Sequence, residues 1–429
     1  MREHHIMNIC AKKNFSFLLL FCILIGSCTK KSNQSYTNLS VISVADRVGK
    51  YEILNLSDIA KSITYIPLET NDDVLVHILE QIVYENEQFI LRDWDLVYPC
   101  KVFDREGRFI HNLGKIGQGT NEYISLSTIY SNYNDSIFLF SRNLSKIWIY
   151  HPNGQLIDIL KTDGIAAEYM LFNIWFLQTH FYLADVICQT SKNIMVTHPR
   201  SILLQADGNK LLTYRTDFPY LTIERAFDGF AITYEAATMY RFKDQIRHYK
   251  AINDTVFTIG PNMEMTKEFV FELGKYKQSI EQMLAGATNQ QNNFIVPLNI
   301  MESTNYLFIE YNFTNYAPEK FEYLKRWPSG PERMVTDYRV FGLFDKRTGE
   351  LKLMNQPIKE KLGFKNDIDG GPVIWPKYIS SNDELVSTIQ PEEFMEYYNN
   401  IQSPSAELKK IADKLEIDDN PIVIITKLN

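Results

Sequence analysis

The sequence is poor in the residues and spacings that carry recognisable chemistry. Its 429 residues include five cysteines, too few for a disulfide framework. Eight histidines are present, and none of His77, His111, His151, His180, His198 and His248 stands in His-x-His or His-Glu-x-x-His spacing. Cys-x-x-Cys is missing too, so no local metal site is supported and no cofactor is expected. The lack of a Gly-x-Ser-x-Gly elbow removes a common hydrolase signature. The net charge is -8, with Lys and Arg scattered along the chain. Phosphate neutralisation needs clustered cations, so nucleic acid is not an expected partner. After residue 40 no Pro-rich, Gly/Ser-rich or long single-sign stretch marks a linker or a second domain.

The N-terminal residues read as a processing signal. Lys12 and Lys13 precede the apolar run "FSFLLLFCILI", Phe15 to Ile25. The run is too short to span a bilayer comfortably and is followed by small residues, as in a secretory signal. Its end, Ile25-Gly26-Ser27-Cys28, resembles the bacterial lipobox, where cleavage leaves a cysteine that carries lipid. Residues 1–27 are thus expected to be a lipoprotein signal peptide and 28–40 a polar tether, with Cys28 the lipid attachment point and the membrane a partner through that anchor. An ordinary signal peptide and an uncleaved anchor are the alternatives, and Met7 is a second candidate start. Cys10 and Cys22 leave with the leader, so the folded part keeps Cys100 and Cys188. These sit in different repeats and are expected to be buried free thiols.

Aromatic residues are abundant, with 25 Tyr, 26 Phe and 5 Trp. Together with scarce alanine they favour β structure over helix. A hairpin plan recurs along the chain. "KVFDREGRFIHNL" from Lys101, "IWIYHPNGQLIDIL" from Ile147, "ILLQADGNKLLTY" from Ile202 and "FGLFDKRTGELKLM" from Phe341 each read as strand, turn and strand. The turn glycines Gly107, Gly154 and Gly208 stand 47 and 54 residues apart, and Gly349 follows 141 residues later, close to three more units. Such regular spacing predicts a propeller, in which each blade covers the faces its neighbour cannot bury alone. Residues 41–429 are therefore expected to form one all-β, six-bladed β-propeller with short helical insertions. "KYKQSIEQMLAGA" from Lys275 and Glu392 to Asn399 read as helices, and Ser403-Pro404 as the cap and first position of a third. After Asn420-Pro421, "IVIITKL" reads as a buried strand able to close the ring against "YEILNL" or "SITYIPLE" near the start. An open sandwich or barrel is the competing architecture, which the length disfavours.

Four segments carry a family likeness: "ITYIPLET" at Ile63, "VFDREGRFIHNLGKIGQGTNEY" at Val102, "GFKNDIDGGPVIWPKYI" at Gly363 and "DDNPIVIITKL" at Asp418. They resemble the Bacteroidetes six-bladed β-propeller lipoproteins, whose blades look like NHL repeats. In the second segment that family shows Gly-x-Gly-Pro-Gly-Glu-Tyr, where this chain has Thr120 and Asn121 in place of the Pro and the Gly that follows it. Asn tolerates positive φ, so the turn is expected to persist. The resemblance implies a fold, an envelope location and a binding role, with no catalytic residues. The tail "TKKSNQSYTN" after Cys28 lacks the acidic cluster that resembles a surface-export signal in such lipoproteins. A periplasm-facing outer-membrane lipoprotein is the first expectation, cell-surface display the second.

Several stretches could carry binding chemistry. "GKIGQGTNEY" fails both the P-loop and the dinucleotide spacing, so its glycines read as a turn between blades, with Glu122 and Tyr123 the residues to examine for a contact. In "NDIDGG" Asp367 and Asp369 alternate before a glycine, but an EF-hand register would place Lys365 and Pro376 at ligand positions. A side-chain-capped turn is the simpler reading. Trp94, Trp148, Trp175 and Trp327 read as packing between blades. Trp375 lies in a loop-like "GGPVIWPKY" and could stack on a sugar. The expected function is a non-catalytic binding or scaffolding propeller, for a glycan, peptide or envelope protein partner. A propeller hydrolase or lyase assembled from several blades, and a structural part of an outer-membrane uptake complex, are the alternatives. For the anchor, Cys28→Ala is expected to abolish incorporation of radiolabelled palmitate; retained label would contradict the lipoprotein reading.

Overall fold

Strand follows strand from Ser40 to Leu428 in the computed structural model, which describes residues 39–94, 98–132, 136–166, 169–178, 180–189, 197–215, 238–250, 253–260, 264–279, 293–325, 333–359 and 361–429. The strands group into antiparallel four-stranded meanders. Leu79–Glu85, Gln88–Asp93, Cys100–Asp104 and Phe109–Leu113 form one. Thr128–Ser131, Ile137–Ser141, Lys146–Tyr150 and Leu156–Lys161 form the next. Tyr169–Gln178, Phe181–Gln189, Thr197–Asp207 and Lys210–Arg215 follow, joined to the preceding meander by the single parallel bridge Lys161–Lys210. Then come Thr238–Phe242, Gln245–Lys250, Thr255–Ile259 and Met265–Glu272, edged by Ser40–Ser43 in parallel.

Val296–Glu302, Tyr306–Asn312, Arg339–Asp345 and Glu350–Met354 make another meander. It is edged by Tyr51–Glu52 in parallel and interrupted by the hairpin Phe321–Lys325 with Arg333–Asp337. The last joins Tyr378–Ile379, Glu384–Ile389 and Ile422–Leu428 to Ala60–Pro67 from the opposite end of the described chain. The "IVIITKL" strand thus pairs with "SITYIPLE". The "YEILNL" segment instead edges a different sheet.

All four hairpins expected from sequence form, with Gly107, Gly154, Gly208 and Gly349 at φ of 84, 88, 56 and 73°. Positive φ lets these tight turns follow the twist of their strands, and glycine adopts it without steric cost. At Gly107 space is a second constraint: a Cβ there would lie 2.4 Å from the Pro67 carbonyl oxygen.

Alternation along each strand sends successive side chains to opposite faces, and both faces are buried against different neighbours. Phe308 packs with Tyr65, Leu385 and Ile422, while Leu307 and Ile309 beside it pack with Tyr249, Val256 and Phe269. Ile82, Tyr84 and Phe89 meet Ile66 and Val423; Val83 and Ile90 meet Ile129 and Trp148. Phe138 and Phe140 meet Ile174 and Ile202, and Leu183 and Leu203 meet Met239 and Phe257. Each cluster lies between successive meanders, and the series returns to its start. The first strand of every meander contributes to one central cavity of about 210 Å³. The fold is all-β and propeller-like.

The helices differ in part from expectation. Pro391–Asn400 is helical as read. The following helix is Ala406–Ala412, and its cap is Ser405, whose side chain accepts the Leu408 N–H, rather than Ser403. Ser405 holds the extended backbone a cap needs, three residues before the free N–H. At the "KYKQ" stretch Gly274–Tyr276 forms a 3-10 turn and Lys277 bridges to Ile295, so no α-helix starts at Lys275. Gly274 at φ 52° turns the chain instead. Residues 280–287 of that stretch, Trp327 and Cys28 lie outside the described residues.

Asn420 fastens the lead-in to the closing strand. Its Oδ1 accepts the Val76 N–H at 2.7 Å, its Nδ2 donates to the Glu69 and Val74 carbonyls at 2.6 and 3.0 Å, and the side chain is buried. Removing it leaves one donor and two acceptors unsatisfied. Asn420→Ala is expected to lower stability by about 2–4 kcal/mol in urea unfolding, and a loss under about 0.5 kcal/mol would contradict the clasp.

Candidate functional site

The residues singled out in the sequence do not come together. In "GKIGQGTNEY" the Gly117 N–H donates to the Tyr123 carbonyl at 3.1 Å and the Tyr123 N–H to the Lys115 carbonyl at 3.0 Å, which folds the stretch on itself. Glu122 accepts the Gly119 N–H at 2.8 Å and packs so closely that a Cβ on Gly117 would lie 2.1 Å from its Oε2. Asn121 is absent from the positive-φ residues, so the turn persists by means of the glycines. Tyr123 is buried, donates its hydroxyl to the Leu113 carbonyl at 2.6 Å and accepts the Cys100 N–H at 3.0 Å. Burial raises its pKa. Its ring meets Trp148 edge-on, tying two meanders together. Cys100 is a buried free thiol pushed up to about 12 by that burial.

The aspartates of "NDIDGG" serve the turn. Asp367 accepts from the Ser57 N–H at 3.0 Å and from the Ser57 hydroxyl; desolvation raises its pKa, but these bonds outweigh it and the net shift is downward. Asp369 accepts from Asn366 Nδ2 at 2.7 Å, the Gly371 N–H at 2.9 Å and the Tyr65 hydroxyl at 3.1 Å. Among the described residues no His, Cys, Asp and Glu cluster could hold a metal ion.

Trp375 does reach a cavity. A space of about 580 Å³ is walled by Trp375, Phe341, Phe321 and Tyr397 together with Glu80, Glu310, Glu393, Arg339, Lys361 and Lys377. It shares Gln81, Asn299 and Lys377 with the central cavity. Phe341 stacks on Trp375 at 4.2 Å, Phe364 lies near-parallel at 6.0 Å and Phe308 is edge-on at 5.9 Å. The indole face against Phe341 is therefore occupied, and the Trp375 Nε1–H is donated to Glu310 at 2.9 Å. Lys377 is open to the cavity yet surrounded by protein. Desolvation lowers its pKa, with Glu393 acting weakly in the other direction. Sequence reading had no means to find Lys377, Glu310 or Asn299, because each is an isolated polar residue at or near a strand.

A second polar group arises where two meanders meet. Ser201 Oγ lies 2.8 Å from His248 Nε2 and 3.5 Å from Asp185 Oδ1, and Lys250 pairs with Asp185 at 2.7 Å. The residue types are those of a hydrolytic triad, but the arrangement is not. Asp185 stands on the serine and lysine, and no partner holds His248 Nδ1 among the described residues. All four residues are buried, and neither cavity includes them. Burial lowers the His248 pKa to about 3, so the ring is neutral near pH 7. Such a group supports packing and offers no access to a substrate.

Among solved structures the chain is similar to a protein of Bacteroides fragilis described as exported, at 16% identity and a TM-score of 0.64, over 91% of this chain and 99% of that one. It also matches a member of the DUF4221 family from Bacteroides vulgatus, at 12% identity and a TM-score of 0.47, over 86% and 97%. Virginiamycin B lyase from Staphylococcus aureus matches at 8% identity and a TM-score of 0.33, over 70% and 89%. The first likeness shows the fold alone; the other two carry no activity or ligand to this chain. No curated protein matches it. A family match nevertheless runs through the meanders from residue 39 to residue 427, and the chain belongs to the family described as a domain of unknown function, DUF4934.

Proposed function

We propose that this protein is a lipid-anchored outer-membrane propeller of six blades, facing the periplasm, that binds a glycan or peptide ligand and does not transform it. Supporting the blade number are the six clusters between successive meanders and the central cavity, to which each meander contributes its first strand. Supporting the anchor is the Ile25-Gly26-Ser27-Cys28 stretch after the apolar run.

The observation that carries the binding role is the pair of cavities sharing Gln81, Asn299 and Lys377. Together they make a funnel of the size and mixed aromatic and polar lining that suits a small ligand. Among the described residues no histidine lines either cavity. Two of the larger cavity's carboxylates are already paired, Glu80 with Arg92 and Glu393 with Lys361, so a hydrolytic pair of free carboxyls has little support.

Asn299 stands where the cavities meet. Asn299→Trp is expected to block the funnel. The native anchored protein would be purified from membranes and its retained small molecules identified by mass spectrometry. Ligand should be recovered with the wild type and lost at least tenfold with the variant; equal recovery from both would place binding elsewhere.

A further inference from the structure

The larger cavity contains two unmatched charges of opposite sign. Lys377 is fixed by its backbone N–H on the Val386 carbonyl at 2.8 Å, and its ammonium makes no ion pair or hydrogen bond among the described residues. Asn299, beside the same space, has no side-chain partner among them. Glu310 accepts only the Trp375 Nε1–H at 2.9 Å and has no described cation within ion-pair distance. The neighbouring charges are matched: Arg92 with Glu80 at 2.7 Å, Lys361 with Glu393, and Arg339 with Asp337 at 2.6 Å. Lys377 and Glu310 are not within 4.0 Å of each other, since no such pair forms.

We infer that the larger cavity takes a small zwitterion of the amino-acid or short-peptide class, with its carboxylate on Lys377 and Asn299 and its ammonium on Glu310. This rests on the binding role proposed above and names the ligand class. A charge partly removed from water is costly unless paired, and a ligand with opposite charges at its two ends satisfies both wall residues at once. A neutral sugar supplies hydroxyls but no charge. A polyanion would satisfy Lys377 and be repelled by Glu310. The lowered pKa of Lys377, caused first by desolvation and only partly offset by Glu393, agrees with a cation held in no ion pair among the described residues, and a bound carboxylate would raise it again. A volume of about 580 Å³ is in the range of small-molecule sites.

The test uses the full chain and three randomised tripeptide libraries: free at both ends, amidated at the C-terminus, and acetylated at the N-terminus. Retention is read by affinity selection and mass spectrometry, with a neutral and a uronate-containing oligosaccharide mixture run in parallel. Free peptides should be retained, and each blocked end should reduce retention at least about tenfold, the worth of one lost charge-assisted contact. Lys377→Met should erase the penalty for amidation and Glu310→Gln that for acetylation. Equal retention of the three libraries by the wild type would overturn the inference, whatever the variants do. Saccharide retention without peptide retention would overturn it and leave the binding role standing; retention of nothing would overturn both.

Discussion

The pairing of Ile422–Leu428 with Ala60–Pro67 is the interaction on which the rest of the structure depends. The two strands run antiparallel from Ile422 opposite Pro67 to Leu428 opposite Ala60, so distant parts of the chain meet in one sheet. Alternation then makes this pair serve two cores. Tyr65, Ile422 and Ile424 face one cluster, and Ile66, Val423 and Ile425 face the next. Losing the pair would open both clusters and leave the meanders on either side with an uncovered face. A propeller-like ring has no other protection for those faces.

Closure is fastened on two sides. Asn420 hydrogen-bonds the segment that follows Ala60–Pro67. Elsewhere Glu85 accepts from the Tyr378 hydroxyl at 2.8 Å and from the Ser381 N–H at 3.0 Å, joining the last meander to the one that begins at Leu79. Burial raises the Glu85 pKa despite these bonds, so the clasp puts a carboxylate in a poorly solvated place. The same closure sets Lys377 beside Gln81 and Asn299. The two cavities are therefore products of the ring: their walls come from segments far apart in sequence that adjoin only once the ends are joined.

The architecture was legible because its signals are local. A glycine in a two-strand context fixes a turn, as at Gly107 and Gly154, and strict alternation fixes which faces are buried. The closing strand was legible from the apolar run after Pro421. The candidate site was far less so. Trp375 could be singled out by its loop composition, but its packing against Phe341 depends on a strand more than thirty residues away. Lys377 looks like any solvated lysine, and what sets it apart is that it has no side-chain partner among the described residues, which only the assembled fold displays. Glu122 and Tyr123 lie in a constrained turn that the glycine spacing made visible, and they hydrogen-bond Gly119, Leu113 and Cys100 of the same chain. Asp185, Ser201, His248 and Lys250 show the opposite hazard, since residues scattered in sequence converge on a triad-like group that is sealed inside the protein.

Native-state hydrogen exchange at the backbone amides of Ile422–Leu428 tests the closed ring most directly. This strand lies between Glu384–Ile389 and Ala60–Pro67, and the account predicts that its amides exchange only through global unfolding, with the free energy found by denaturant titration. Exchange of these amides at clearly lower free energy, while Cys100–Asp104 and Arg339–Asp345 stay protected, would contradict it.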